Sequence, residues 1–165
     1  MQHLIDFTEE WELSRRDLAD QEQRLNDRLE PDLRFSGDPT GHKIPPMSLQ
    51  PVLVNAIEHG LAPRPGGGRI LVRVRFHRTA DGTPRWWMLV RDNGVGSSRA
   101  GAGVGKDGGA GYQGETLGNI RLRLEHLLEG GGFWIRPHVA GGTVAIFTGG
   151  PPRAASADAA WQSLS

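Results

Sequence analysis

The sequence predicts a two-layer α/β sandwich, with a mixed, mostly antiparallel sheet carrying helices on one face. Three observations predict it. Residues Arg69 to His77 and Arg85 to Arg91 each alternate apolar and polar side chains, and Asp81-Gly82 between them is hairpin-turn chemistry. Phe133 to Val139 and Thr143 to Phe147 form a second such pair around Gly141-Gly142. Elsewhere the apolar residues recur at helical spacing, and strands joined by hairpins rather than by helical crossovers imply antiparallel pairing with helices to one side.

In chain order, Phe7 to Leu29 reads as a charged helix with Leu13, Leu18, Leu25 and Leu29 on one face, capped by Thr8 and favoured at its start by Glu9 and Glu10. Glu30-Pro31 breaks it. Asp32 to Phe35 reads as a short edge strand and Ser36 to His42 as a turn-rich loop. Met47 to Leu61 is predicted helical, with Pro45-Pro46 tolerated at its first turn and Gly60 as its C-terminal cap. Leu117 to Leu128 is the last helix, stopped by Gly130 to Gly132. The domain expectation is a helical segment at 1–30, a folded domain at 31–149 and a disordered tail at 150–165.

Bulk properties narrow the function classes. At 165 residues the chain is one domain's worth. Lys+Arg and Asp+Glu both number 19, giving zero formal charge, which argues against a dedicated nucleic-acid or anionic-membrane surface. The absence of cysteine excludes disulfides and thiolate metal sites. No apolar run approaches the roughly 20 residues needed to span a bilayer. The chain thus reads as soluble.

Three stretches carry possible chemistry. On the second helix, Asn55 and His59 are four apart and share a face, where an amide oxygen can ligate Mg²⁺ beside phosphates; the plain alternative is a solvated helix edge. Asp92-Asn93-Gly94-Val95-Gly96 follows a strand directly. A carboxylate there can accept from an exocyclic amine, and the glycines let a flat base approach the backbone; the alternative is a simple turn. Gly114-Glu115-Thr116-Leu117-Gly118-Asn119 opens a helix whose N–H groups can hold an anion, or is an ordinary helix start.

Two matches fail. Gly103 to Gly108 fits a dinucleotide-binding glycine pattern but follows no strand, and Gly105-Lys106 lacks the glycine and the Ser/Thr of a Walker A loop. Ser97 to Gln113 reads instead as a mobile lid. His3, His42, His77, His126 and His138 show no shared metal-ligand spacing and read as surface or strand histidines.

Taken together and in this order, the three stretches resemble the ATP-binding domain of the gyrase, chaperone and histidine-kinase superfamily, the Bergerat fold. Asn55 falls on its N box, Asp92 to Gly96 on its G1 box and Gly114 to Asn119 on its G2 box. Ile44 to Pro51, Gly118 to Leu124, Gly141 to Val144 and Arg24 to Leu29 are similar to LytS-type sensor histidine kinases in particular, so the resemblance covers roughly residues 8 to 148.

The resemblance implies that Asp92 accepts from the adenine amine, with Gly94 and Gly96 leaving room for the base. It implies that Asn55 holds Mg²⁺, that His59 lies near the phosphates, that Lys106 could meet the terminal phosphates, and that the backbone of Gly114, Thr116, Leu117 and Gly118 cradles them. It also implies Mg·ATP as ligand, Asn55 and His59 as the catalytic pair, and transfer of the γ-phosphate to a histidine outside this chain. The implied partners are the phosphoacceptor-histidine helix of a homodimeric, membrane-anchored parent kinase and a response regulator, with the domain on the cytoplasmic side.

Three departures qualify that. Val54 stands where LytS-type kinases often have Glu, Thr116 stands for a usual G2 glycine, and no Pro-His-Phe-type phosphoacceptor motif is present. Two rival functions remain. One is a gyrase-type ATPase, which needs a Glu general base where Pro51 stands. The other is a degenerate nucleotide-binding or interaction module without turnover.

Overall fold

The computed structural model describes residues 3–95 and 112–154. Its centre is the hairpin of β4 (Gly68–Arg78) and β5 (Pro84–Asp92), turned at Gly82, whose φ of +84° only glycine adopts without strain. One face of β4 is Ile70, Val72, Val74 and Phe76, all buried, and the same face of β5 is Trp86, Met88 and Val90. β7 (Thr143–Gly149) pairs antiparallel with β5 and brings Ala145 and Phe147 to that face. β6 (Gly132–Pro137) closes that edge beside β7, and Phe133 stacks edge-on against Phe147 at 4.8 Å.

On the other edge β2 (Leu29–Ser36) pairs parallel with β4, so the sheet order is β2-β4-β5-β7-β6. The predicted short strand is therefore longer. It is an edge strand, the position where its internal Pro31 removes no ladder hydrogen bond the sheet needs. The mixed, mostly antiparallel α/β sandwich read from the sequence is the observed fold.

Three helical pieces cover the inward face. α1 (Phe7–Arg24) buries Phe7, Glu10, Trp11, Ser14 and Leu18, an i, i+3, i+4, i+7 stripe. This differs from the leucine stripe expected. Leu13 is 41 % exposed, Leu25 lies past the helix end and Leu29 begins β2. Thr8 is not the cap: the helix starts at Phe7, whose N–H donates to the carbonyl of His42 at 2.9 Å. A small ribbon of β1 (Ile5–Asp6) and β3 (Lys43–Ile44), not foreseen from the sequence, ties the chain on either side of that contact.

α2 (Gln50–Asn55) starts later than expected, with Pro51 in its first turn, and runs on as a π-helical turn at Ala56–Leu61. Gly60 is not its cap, because the helix continues through Leu61 and the Ala62 N–H reaches back to Ile57. α3 (Tyr112–Leu127) begins before the predicted Leu117, and the chain turns away beyond its end at Gly130, where φ is +63°. Beyond β7, Pro152 bridges Leu128 and the Arg153 N–H donates to Leu127 at 2.9 Å; 155–165 lie outside the described residues.

The core is continuous from α1 to β7. Phe7 is 1 % exposed and makes edge-on contacts at 4.9 Å with both Phe76 and Trp86. His42 is also buried, against Phe76 at 4.8 Å, and burial lowers its pKa below the usual histidine value, so this one is a core residue rather than a surface one. No helix among the described residues is long and apolar enough to cross a membrane. The zero net charge is unevenly spread. The outward sheet face carries Arg34, Arg69, Arg73, Arg75, Arg91 and Arg136 against Glu30 and Asp32.

Because Phe7 fills the junction of α1 with β4 and β5, Phe7→Ala is expected to cost about 4 kcal/mol and lower Tm by about 10 °C. A thermal melt followed by circular dichroism checks this. An unchanged Tm would mean that α1 is no part of the folded unit.

Candidate functional site

Alternation along β5 places Trp86, Met88 and Val90 inward, and the next inward residue is Asp92. A carboxylate thus occupies a position where the pattern calls for a hydrocarbon. It is 3 % exposed. Burial raises its pKa above the ordinary aspartate value, and hydrogen bonds from the backbone N–H groups of Gly94 and Thr143 pull it partly back. The Gly94 bond to Oδ1 is 2.9 Å. No cation pairs with Asp92 among the described residues.

Glycines pack closely against Asp92 and the backbone beside it. A Cβ on Gly60 would stand 2.9 Å from Asp92 Oδ1, and one on Gly94 would meet the Gly60 carbonyl carbon and oxygen at 2.3 Å. Gly142, at φ +81°, would put a Cβ 2.0 Å from the Asp92 carbonyl oxygen. The close approach is fastened by the Val95 N–H, which donates to Gly60 at 2.9 Å. Asn93, between Asp92 and Gly94, accepts from the Arg69 N–H at 2.7 Å, and Arg64 donates to its carbonyl. The G1 stretch is therefore no simple turn. It is a strand end pinned on both sides, with the side chain of Asp92 turned into the interior.

The helix carrying Gly60 also carries Asn55. Asn55 ends α2, half-buried, one turn above the glycine that touches Asp92, and His59 is exposed on the π turn. π turns inside α-helices recur at functional sites, where one extra residue re-aims the side chains around it. α2 packs in turn on α3. Gly114 lies in the first turn of α3, and Thr116, Leu117 and Gly118 follow in the second. The first four N–H groups of a helix have no intrahelical acceptor, and those of Tyr112 to Glu115 stand in that position. At Gly118, which is exposed, a Cβ would meet nothing within 4 Å, so the fold itself does not require glycine there.

The structure thus joins Asp92, Gly94 and the helix of Asn55 and His59, with α3 as that helix's neighbour. Gly96, Lys106 and most of the Ser97–Gln113 stretch, including both rejected glycine motifs, lie outside the described residues; Tyr112 and Gln113 already belong to α3. Sequence reasoning missed Gly60 as a wall of the carboxylate and Gly142 as a close neighbour of the Asp92 backbone. Gly60 read as a cap and Gly142 as a turn, and only three-dimensional proximity gives either its role. Among the described residues no group of three or more His, Cys, Asp or Glu could hold a metal ion.

No family model and no curated protein matches the sequence. Solved structures do match. The catalytic domain of histidine kinase ThkA, free of nucleotide, superposes with a TM-score of 0.61 at 13 % identity, covering 93 % of this chain and 99 % of that one. The mycobacterial sensor histidine kinase MprB gives 0.57 at 17 % identity over 93 % and 100 %. ThkA in complex with the response regulator TrrA gives 0.58 at 14 % identity over 90 % of this chain and 41 % of that chain. The chain therefore has the fold of histidine-kinase catalytic domains.

Proposed function

We propose that this domain binds Mg·ATP and supplies the γ-phosphate to a histidine outside the chain, as the catalytic domain of a LytS-type sensor histidine kinase whose product passes to a response regulator. The observation that carries the reading is Asp92, an ionisable group buried at a strand end with no cation partner among the described residues, inside a wall of glycines. Burying a carboxylate costs stability, and a purine amine is the kind of donor that offsets it. The fold neighbours are histidine-kinase structures, and one of them, ThkA, is in complex with the response regulator TrrA.

The chain's residues divide the work by position. Asp92 accepts from the adenine amine, and Gly94 with Gly60 leaves the base flat access. Asn55 holds Mg²⁺, with His59 nearby on the same helix, and the first turns of α3 receive phosphate through Gly114, Thr116, Leu117 and Gly118. Mg²⁺, when bound, neutralises phosphate charge and fixes the phosphates in line. Transfer needs orientation and charge neutralisation more than covalent help from the protein. Pro51, in the first turn of α2, offers no base to activate water, which disfavours the ATPase reading. Val54, 40 % exposed beside Asn55, leaves no carboxylate there and favours a holding module without turnover as the second reading. Phosphate transfer measured with a LytS-type phosphoacceptor helix supplied in trans separates the two.

Asp92→Asn tests the adenine contact. The amide places a donor where the base also donates, so affinity for a non-hydrolysable Mg·ATP analogue is expected to fall about tenfold to a hundredfold by calorimetry. Equal affinity would sink the assignment. The same substitution is expected to raise Tm at pH 7. With its folded pKa raised, Asp92 takes up protons on folding between its unfolded and folded values. Its presence therefore lowers stability as pH rises through that window, and the advantage of Asn should vanish below about pH 4.

Gly118→Ala tests the phosphate contact. It should leave Tm unchanged or higher, since alanine favours the helix and the space is open. Analogue affinity should nonetheless drop by about tenfold if phosphate packs there. Unchanged binding would place the phosphates elsewhere.

Incubated alone with γ-labelled ATP, the chain is expected to acquire no stable phosphohistidine. Label on His3 or any other histidine would overturn transfer to an outside acceptor.

A further inference from the structure

Three helices meet on one short stretch of backbone, Pro45 to Leu49, just before α2. Leu49 gives α2 no side-chain cap. The amides at this entry are held instead from α1. The buried carboxylate of Glu10 accepts from Met47 at 3.2 Å, Ser48 at 3.0 Å and Leu49 at 2.9 Å. The carbonyls of the same stretch are held from α3, where Arg123 donates to Pro46 and, at 2.9 Å, to Met47. Ser48 Oγ closes the turn onto Pro45 at 2.6 Å.

Met47 has a φ of +59°, a conformation that a non-glycine residue keeps only when its surroundings over-determine it. The stretch is further tied to α1 by the β1–β3 ribbon and by the Phe7 bond to His42, so α1 and the α2 entry form one body. Arg123 joins α3 to that body. α2 leads to Asn55, while the first two turns of α3 carry Gly114 to Gly118. The spacing between these two groups follows from where Arg123 holds the Pro46 and Met47 carbonyls. Asp92, Gly60, Gly94 and Gly142, at the far end of the α2 helix, take no part in this network.

We infer that Glu10 and Arg123 are positioning residues that set the spacing of α2 and α3 through Pro46–Leu49, making α1 the input element that adjusts the phosphate end of the nucleotide site and leaves the adenine end alone. This rests on the nucleotide reading of the preceding subsection. A displacement of α1 would pull Glu10 and the α2 entry together and change how Asn55 faces the start of α3.

The test uses the full chain and two probes, a Mg·ATP analogue by calorimetry and adenosine by NMR titration. Arg123→Ala should stay folded, because the Met47 carbonyl it releases is exposed and that of Pro46 half-buried, within reach of water. Its affinity for the analogue is expected to fall about fivefold to tenfold with adenosine binding unchanged. Arg123→Lys, able to donate to one of the two carbonyls, should fall between, and Glu10→Gln should show the same one-sided loss. A merely structural role would weaken both ligands or neither, and either result overturns the inference while the nucleotide reading stands. Wild-type chain that binds neither probe overturns the nucleotide reading itself and the inference with it.

Discussion

A carboxylate on the inward face of a sheet is the constraint around which this domain is arranged. Asp92 continues a row of Trp86, Met88 and Val90 into the space beneath the helices, where burial raises its pKa. Everything near it is cut back to make room. Gly60 must lack a side chain for the helix to pass, Gly94 must lack one to lie against Gly60, and Gly142 must turn at positive φ beside the Asp92 carbonyl. The glycines belong to the helix before, the loop after and the last hairpin, so the Asp92 side chain and the backbone packed around it constrain three separate segments.

A second buried carboxylate, Glu10, shows what Asp92 is not. Glu10 is 1 % exposed and accepts three backbone N–H groups, with the Arg123 guanidinium close enough to act on it electrostatically. Both its oxygens accept bonds inside the protein, and its work is to hold the entry of one helix from another. Asp92 accepts from Gly94 and Thr143, yet burial still outweighs those bonds. Both acids accept hydrogen bonds from backbone N–H groups; they differ in that burial leaves the pKa of Asp92 raised.

Much of this was legible in the sequence where one physical rule acts alone. β4 and β5 follow from strict alternation, and their turn from Asp81-Gly82. Asp92 was legible as a candidate because an acid followed closely by glycines stands where a strand ends. What was not legible came from rules in competition. The buried stripe of α1 includes Glu10 and Ser14, polar types that periodicity assigns to solvent; the leucine spacing points to another face, and Leu13 on it is exposed. α3 begins within a glycine-rich stretch whose composition argues for a loop. Gly60 carried a cap's signature for a reason of packing, and the pairing of β2 with β4 is parallel, a contact between segments nearly forty residues apart.

Composition has the same limit on a larger scale. Zero net charge argues against a dedicated nucleic-acid or anionic-membrane surface, but a sum over the sequence cannot see faces. The strand period of two sends Arg73, Arg75, Arg91 and Arg136 to the outward side of the sheet, where Asp32 and Glu30 engage only Arg34, Arg73 and Arg69. Among the described residues the inward side of the five-stranded sheet keeps one strand carboxylate, Asp92, and its strand cation Arg78 lies at the opposite end of the β4–β5 hairpin. Under the proposed nucleotide reading, neutralising a triphosphate beside Asp92 would fall to Mg²⁺, to helix N-termini and to residues beyond the strands. Positioning therefore falls to the helices, and the α1–α2–α3 junction at Met47 is where their relative placement is decided.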